Sequence, residues 1–156
     1  MDVNKQITIK EYIETFLKTG NFAVLATEGN GQPHVSLVAI TPIGSCRQLV
    51  FATYRNTLKY RNLASNSKVA VLIESRIVDE NDPGKRIILT IIGNTEEISI
   101  TKNEAVYQAH LKRHPEMESF MLSSDCALIL VTAQSFQVVK GIDEIRWVTA
   151  DELDSI

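Results

Sequence analysis

Short apolar runs separated by turn residues dominate the pattern of hydrophobic and polar positions along the chain. Such runs, rich in Val, Ile and Thr and bounded by Gly, Pro, Asn or Ser, are typical of β-strands. We predict strands at Phe22–Thr27, Pro33–Thr41, Gln48–Tyr54, Val69–Glu74, Arg86–Gly93, Thr95–Ile100, Ala127–Thr132 and Phe136–Gly141, with a candidate edge strand at Ile145–Val148. Turns at Asn30-Gly31 and around Gly44 separate the first three strands, which we expect to form an antiparallel meander.

Helical periodicity occurs in only a few places. Thr8 and Glu11 form a capping-box pattern before apolar residues at helical spacing, and Gly20 is a helix stop signal. We predict further helices from about Thr57 to Ser65 and from a second capping box at Thr101–Glu104 to about Arg113, and a short helical turn from Pro115. The DENDPG segment at residues 79–84 predicts an acidic, turn-rich loop.

These elements predict a mainly β (α+β) fold. The helices do not alternate with the strands as in βαβ units, so a closed or nearly closed antiparallel barrel with peripheral helices is the expected architecture. The Gly93-Asn94 pair predicts a turn or bulge between two of the strands. No repeat or linker divides the chain, and we expect one domain over residues 1–156. Such a barrel leaves a polar pocket at its rim or at a subunit seam.

Composition excludes several classes of function. The 156 residues carry a net charge of −3 and include 44% hydrophobic residues, which argues against a general nucleic-acid or anionic-membrane surface. No apolar run approaches the roughly 20 residues that span a bilayer, and no signal-peptide segment is evident. Cys46 and Cys126 lack CxxC spacing, so we expect neither a disulfide nor a zinc site. A cytoplasmic protein is expected.

One junction between a predicted strand and a predicted helix concentrates polar chemistry. Thr53, Arg55, Asn56, Thr57 and Lys59 lie within seven residues there. The first amides of a helix lack intrahelical partners and the helix dipole favours negative charge, so the junction predicts an anion site, most often for phosphate.

The distribution of charge supports this hypothesis. No Asp or Glu occurs between Glu28 and Glu74, whereas five cations lie in that interval: Arg47, Arg55, Lys59, Arg61 and Lys68. Core strands avoid acids in any case, which would explain most of the gap but not the clustering of cations at one junction.

The chain resembles the FMN-binding split-barrel family of pyridoxamine 5′-phosphate oxidase-like proteins. The matching segments, over about residues 8–100, are the N-terminal helix, NFAVLATEGNGQPHVSLVAI, VFATYRNTLKYRNLASNSKVAVLI and RIILTIIGNTEEI. The central segment is the most specific, because Thr53, the polar turn, Lys59 and Asn66 follow the family's order. The resemblance implies a split barrel that binds FMN at a homodimer interface.

The resemblance also implies cofactor-binding residues. The strand around His34, Val35, Ser36, Leu37 and Val38 would contact the isoalloxazine ring through backbone groups. The phosphate would be held by the turn that comprises Ala52, Thr53, Arg55, Asn56, Thr57 and Lys59. Trp147 would cover the flavin of the partner subunit or, alternatively, pack at a C-terminal edge.

Some positions depart from the family pattern. Oxidases of the family carry an Arg and a Lys where this chain has His34 and Ala39, and an Arg-Lys pair where it has Leu58-Lys59. Residues that would bind pyridoxal phosphate are not evident. The leading hypothesis is therefore an FMN-binding oxidoreductase-like protein of unknown substrate. The alternatives are a non-catalytic flavin- or haem-binding module and a split barrel that uses another cofactor, as a deazaflavin-dependent reductase does, or none.

Two other candidates have weaker support. His110 and His114 have the i, i+4 spacing of helical metal ligands, but no third ligand is obvious and a surface pair is the expected outcome, so no metal site is predicted. Ser36 lacks the GxSxG context of a nucleophile.

Overall fold

One antiparallel sheet of eight strands forms the body of the protein. The computed structural model describes residues 8–74, 86–141 and 143–155, so the predicted acidic loop at 79–84 lies outside the described residues. The strands are β1 Phe22–Gly29, β2 Gln32–Ala39, β3 Thr41–Ile43, β4 Gln48–Tyr54, β5 Lys68–Glu74, β6 Ile87–Ile98, β7 Cys126–Lys140 and β8 Glu144–Thr149. The α-helices are α1 Ile9–Thr19, α2 Leu58–Ser65, α3 Glu104–Arg113, α4 Glu118–Met121 and α5 Ala150–Asp154, with 3₁₀ turns at Thr101–Asn103 and Pro115–Met117. The predicted mainly β, antiparallel class is confirmed.

The order of the strands shows how the sheet closes. It runs β2-β1-β5-β6-β7-β4-β3, with β8 paired to the far half of β7. Its two end strands, β2 and β3, are joined by the single residue Ile40. The sheet must therefore curl until its ends meet, as in a barrel that is split where β2 leaves the ladder.

The predicted three-strand meander is wrong. The hairpin of β1 and β2 forms as expected, with Asn30 and Gly31 at positive φ. The chain then separates at Ile40, whose N–H donates to the carbonyl of Asn21, and the following residues pair with β4 as the short strand β3. The other edge of β4 pairs with β7, from Gln48 with Thr132 to Tyr54 with Cys126. One edge of β7 pairs with β4 and then with β8, and its other edge pairs with β6, so β4 lies beside β7 rather than beside β2.

Strands β6 and β7 are each continuous where two shorter strands were predicted. Gly93 lies at a bulge rather than a turn, because the register between the strands shifts after Ile92 and leaves Gln134 without an opposite residue. A Cβ atom on Gly93 would lie 2.5 Å from the carbonyl oxygen of Thr132. The close approach of the two backbones explains why glycine occupies the bulge.

Helix α1 begins as predicted. The Thr8 hydroxyl accepts from the N–H of Glu11 and the Glu11 carboxylate accepts from the N–H of Thr8. The second predicted capping box is wrong, because residues 101–103 form a 3₁₀ turn and Ser99 Oγ, not Thr101, accepts from the N–H of Lys102. Helix α5 was not predicted, although Thr149 and Glu152 form its capping box.

The inner face of the sheet and the buried face of α1 form the main core. Its fully buried members include Phe16, Leu25, Phe51, Leu89 and Phe136. A second cluster lies between the outer side of β4 and β7 and helices α3 and α4, and contains Val50, Tyr107, Met121, Cys126 and Leu128. No helix within the described ranges is long and apolar enough to cross a membrane.

Candidate functional site

The turn between β4 and α2 is held by its own hydroxyl groups. Thr53, at the end of β4, is buried, and its Oγ1 lies 3.1 Å from Thr57 Oγ1. Thr57 caps α2 by accepting from the N–H of Tyr60, and it donates to the carbonyl of Tyr54 at 2.8 Å. The helix start was thus predicted correctly. The same cap leaves the amides of Leu58 and Lys59, the first two of the helix, without intrahelical acceptors.

Lys59 is the cation of this turn with no internal partner. Its side chain forms neither a hydrogen bond nor an ion pair with the described residues, and partial burial lowers the pKa of its ammonium group. A half-buried charge without a partner is costly, and an anion would relieve that cost. Asn56 is exposed beside it, whereas Ala52 faces away from the turn and packs against the second cluster.

Arg55 is bound to other groups of the protein. Its Nη2 lies 2.8 Å from Glu97 Oε2, and its Nη1 donates to the carbonyls of Ser124 and Cys126 at 3.1 and 3.2 Å. The Tyr60 hydroxyl donates to the other carboxylate oxygen. Partial burial raises the pKa of Glu97, but the hydrogen bonds from Tyr60 and Arg55 bring it below its ordinary value. These bonds hold the Arg55 guanidinium against Glu97 and the start of β7, so its charge is already paired inside the protein.

The five cations between Glu28 and Glu74 also differ in whether they form an ion pair with an acidic side chain. Arg47 forms ion pairs with Asp151 and Asp154 at 2.7 and 3.0 Å, so acids from distant parts of the chain neutralise two of the five. In the part of the chain that the structure describes, Lys59, Arg61 and Lys68 form no ion pair. The positive charge available to a ligand is therefore concentrated on and around α2.

Strand β2 presents two different faces. His34 and Ser36 point to the inner side, where the Nδ1 of His34 and the Oγ of Ser36 are buried and lack a hydrogen-bond partner among the described residues, and Val38 is buried in the core. Val35 and Leu37 point outward and are 64% and 69% exposed. Because β2 ends the strand order, its second backbone edge has no ladder partner within the described ranges. Strand β2 therefore carries hydrogen-bonding groups that water or a ligand would satisfy.

Two residues that the sequence reasoning missed connect β2 to the turn. Thr27 of β1 is buried opposite His34 in the β1–β2 ladder. Its Oγ1 accepts from the Nδ2 of Asn62, the buried polar residue of α2, at 3.1 Å. Helix α2 is held against β1 by this bond and by the one from Asn66 to Glu28 at 2.8 Å. The sequence signal for this contact was Asn62 itself, a polar residue at a helical position where an apolar residue would be expected to face the core.

Trp147 belongs to the outer face of the sheet. It is 58% exposed and lies opposite Gln137 in the β7–β8 ladder. The ladder registers place it in one row with Leu37, Val24, Leu72, Thr90 and Gln137 across six strands. Its ring therefore lies on the other side of the sheet from His34 and Ser36 of its own chain.

The predicted surface location of His110 and His114 is wrong, because both side chains are fully buried against the joint between β2 and β3. No group of three His, Cys, Asp or Glu side chains in the described ranges could hold a metal ion.

Comparison with known proteins finds one matching family model. The sequence model of the family described as pyridoxamine 5′-phosphate oxidase matches residues 9–140. A comparison with curated proteins finds no match.

Solved structures share the fold. A heme binding protein from Mycobacterium smegmatis superposes with a TM-score of 0.82 at 21% identity, over 95% of this chain and 60% of that one. A protein related to general stress protein 26 from Clostridium acetobutylicum gives 0.71 at 16% identity, over 94% and 99% of the two chains. An FAD-binding protein from Mesorhizobium loti gives 0.68 at 12% identity, over 84% and 94%. This chain thus spans nearly the full length of the Clostridium and Mesorhizobium proteins and about three fifths of the mycobacterial protein.

Proposed function

Because the chain belongs to the pyridoxamine 5′-phosphate oxidase family, we propose that it binds FMN between two copies of itself and acts as a flavin-dependent oxidoreductase. One structural neighbour is described as a heme binding protein and another as an FAD-binding protein, so the choice of FMN is the proposal. When bound, the flavin would supply the redox chemistry, and the protein would supply binding, orientation and the electrostatic surroundings of the ring.

The observation that carries the proposal is the unpaired chemistry around α2 and β2. Lys59 is a half-buried cation without an internal partner, and the first amides of α2 point out of the same helix end. A terminal phosphate would satisfy both. Thr53 and Thr57 would turn their hydroxyls from the carbonyl of Tyr54 to the anion, and Asn56 would lie beside it. Arg55 would keep the turn in place through its bond to Glu97.

The ring system would lie along β2. His34 Nδ1 and Ser36 Oγ are buried polar atoms without partners, and the edge of β2 offers backbone groups to the carbonyls and ring nitrogens of a flavin. The Asn62–Thr27 bond connects α2, which follows the β4–α2 turn, to β1, the ladder partner of this strand. The residues present therefore fit a ligand that has a planar polar ring at one end and a phosphate at the other.

The second copy would cover the outer face. Exposed Val24, Val35, Leu37 and Leu72 form an apolar surface on one side of the sheet, and surfaces of this kind mark interaction sites. Trp147 lies on the same side, in the same row beyond Thr90 and Gln137. A two-fold axis would place identical patches against each other. In that arrangement Trp147 would lie at the interface between the two copies. The two free cysteines, Cys46 and Cys126, support a reducing compartment, which we propose to be the cytoplasm.

Haem binding without turnover is the second candidate. The mycobacterial neighbour binds haem by its description, and His34 carries a ring nitrogen without a partner that suits an iron ligand. The phosphate turn argues against it, because Lys59 and the helix amides would have no role unless a haem propionate occupied their site.

The visible spectrum of the purified protein tests the proposal. We expect a flavin spectrum, or its appearance when FMN is added, with one FMN per chain by equilibrium titration. A Soret band in the purified protein would favour haem, and a protein that binds neither flavin nor haem would overturn both candidates. Consumption of NADH or NADPH by the flavin-loaded protein would separate an enzyme from a binding module.

A further inference from the structure

Two buried histidines hold the joint at which the chain passes from β2 to β3. The Nε2 of His114 lies 2.7 Å from the carbonyl oxygen of Ile40, and the Nδ1 of His110 lies 2.7 Å from the hydroxyl oxygen of Thr41. The two rings are 4.9 Å apart and are 0% and 1% exposed. Ile40 and Thr41 are thus each held by a side chain from α3 or its C-terminal cap.

The hydrogen bonds fix where the protons lie. A carbonyl oxygen only accepts, so the Nε2 of His114 carries a hydrogen. The Nε2 of His110 is buried without a partner. Because a buried N–H without an acceptor is costly, the hydrogen of neutral His110 belongs on Nδ1, where it is donated to Thr41. A second proton on His110 would point at no acceptor.

The surroundings of His110 also oppose a positive charge. Burial is the main cause, followed by the charges of His114 and Arg113, and the exposed Glu116 opposes them only weakly; together they lower the pKa of His110 to about 4. Arg113 is fixed nearby, because its Nη2 donates to the carbonyls of Leu17, Lys18 and Gly20 at the end of α1. From the neighbouring strands the pair is faced by uncharged groups: Thr41 of β3, the Ile40 carbonyl and the ring of Phe22 of β1.

We propose that His110 and His114 form a latch that holds the β2–β3 joint closed while His110 is neutral and releases it when His110 takes up a proton. In the open state His110 would be solvated and would titrate near the ordinary histidine value of about 6.5. The open state then binds more protons than the closed one, so it gains population as the pH falls from about 6.5 to about 4. The latch itself does not require a cofactor. Its consequence, acid-induced release of FMN from β2, rests on the proposed function.

Hydrogen exchange at the joint tests the latch on the protein without added FMN. Exchange of the amides in residues 32–43 is compared with that in β6, after correction for the intrinsic pH dependence of exchange. We expect the opening equilibrium of 32–43 to rise by up to tenfold per pH unit below about 6.5, with β6 much less affected. The matched variant is His110→Asn, which removes the titrating ring and keeps an N–H donor for Thr41. In this variant the opening of residues 32–43 should not rise with acid below about pH 6.5 as it does in the unmodified protein.

An NMR titration of the His110 ring in the unmodified protein makes the test independent of whether the variant folds. We expect the ring to be neutral above pH 6.5 and to gain its proton as the joint opens. The latch is excluded if His110 becomes charged while 32–43 stays protected, or if His110→Asn opens with acid as the unmodified protein does. Opening that follows the prediction while FMN affinity stays constant would leave the latch intact and place the cofactor elsewhere than on β2.

Discussion

The Nη2 of Arg55 lies 2.8 Å from the Oε2 of Glu97, although the two residues are 42 positions apart in the chain. The first cation of the β4–α2 turn is therefore already paired with a carboxylate from the end of β6. Lys59 has no such partner among the described residues. The structure thus divides the cations of the turn into one that organises it and one that is available to a ligand.

Arg55→Ala should weaken the fold rather than the selectivity for phosphate. It removes the partner of Glu97 and the donor to two carbonyls, and since the ion pair is partly exposed we expect a loss of about 1–2 kcal/mol in the free energy of unfolding. Denaturation in urea measures this loss. The ratio of FMN to riboflavin affinity should stay constant, with Arg61→Ala as the exposed control. A selective loss of FMN affinity would show instead that Arg55 leaves Glu97 to bind the phosphate.

Leu37→Glu should break the homodimer. Leu37 lies on the outer face of β2 and is 69% exposed in the single chain, and a carboxylate buried at a two-fold interface would meet its own copy. Sedimentation at micromolar concentration should show a dimer for the unmodified protein and a monomer for the variant. Leu122→Glu, at an equally exposed leucine after α4, should remain dimeric. A monomeric unmodified protein in the presence of FMN would contradict the dimer proposal.

Gly93→Ala should destabilise the sheet at the β6–β7 bulge. The added methyl group would lie 2.5 Å from a backbone carbonyl oxygen that has no flexible end to move, and we expect a cost of about 1–3 kcal/mol. Thermal unfolding measures it. Gly31→Asn is the comparison, because Gly31 has positive φ and open space around its Cα and Asn tolerates that conformation. Equal stability of the two variants would show that the strands separate at the bulge without cost.

Local chemistry explains which parts of the fold were predictable. The caps at Thr8 and Thr57 depend on residues three positions away, and the Asn30-Gly31 hairpin depends on its own two residues. Alternation of apolar and polar residues marks a strand whatever its neighbour is. These features need no knowledge of the rest of the chain.

Pairing between distant segments was not predictable in this way. The β4–β7 ladder, the Arg55–Glu97 pair and the burial of His110 all depend on where the chain separates at Ile40 and on how far β7 extends. A His at helical spacing beside Lys112 and Arg113 is typical of a surface, and only the packing of α3 on the joint between β2 and β3 makes it a core residue. The sequence therefore predicted which polar residues cluster at the β4–α2 turn, and only the structure shows that Arg55 is paired with Glu97 while Lys59 has no partner among the described residues.

The affinity of Lys59→Ala for FMN and for riboflavin tests the central claim most directly. A charge-assisted bond to a partly buried phosphate is worth roughly 1.5–3 kcal/mol, so FMN should bind roughly ten- to a hundredfold more weakly. Riboflavin lacks the phosphate, and its affinity should hardly change. Lys68→Ala, which removes the same charge from the start of β5, should leave both affinities intact. If Lys59→Ala binds FMN as tightly as the unmodified protein, or loses riboflavin to the same extent, the phosphate does not bind at the β4–α2 turn.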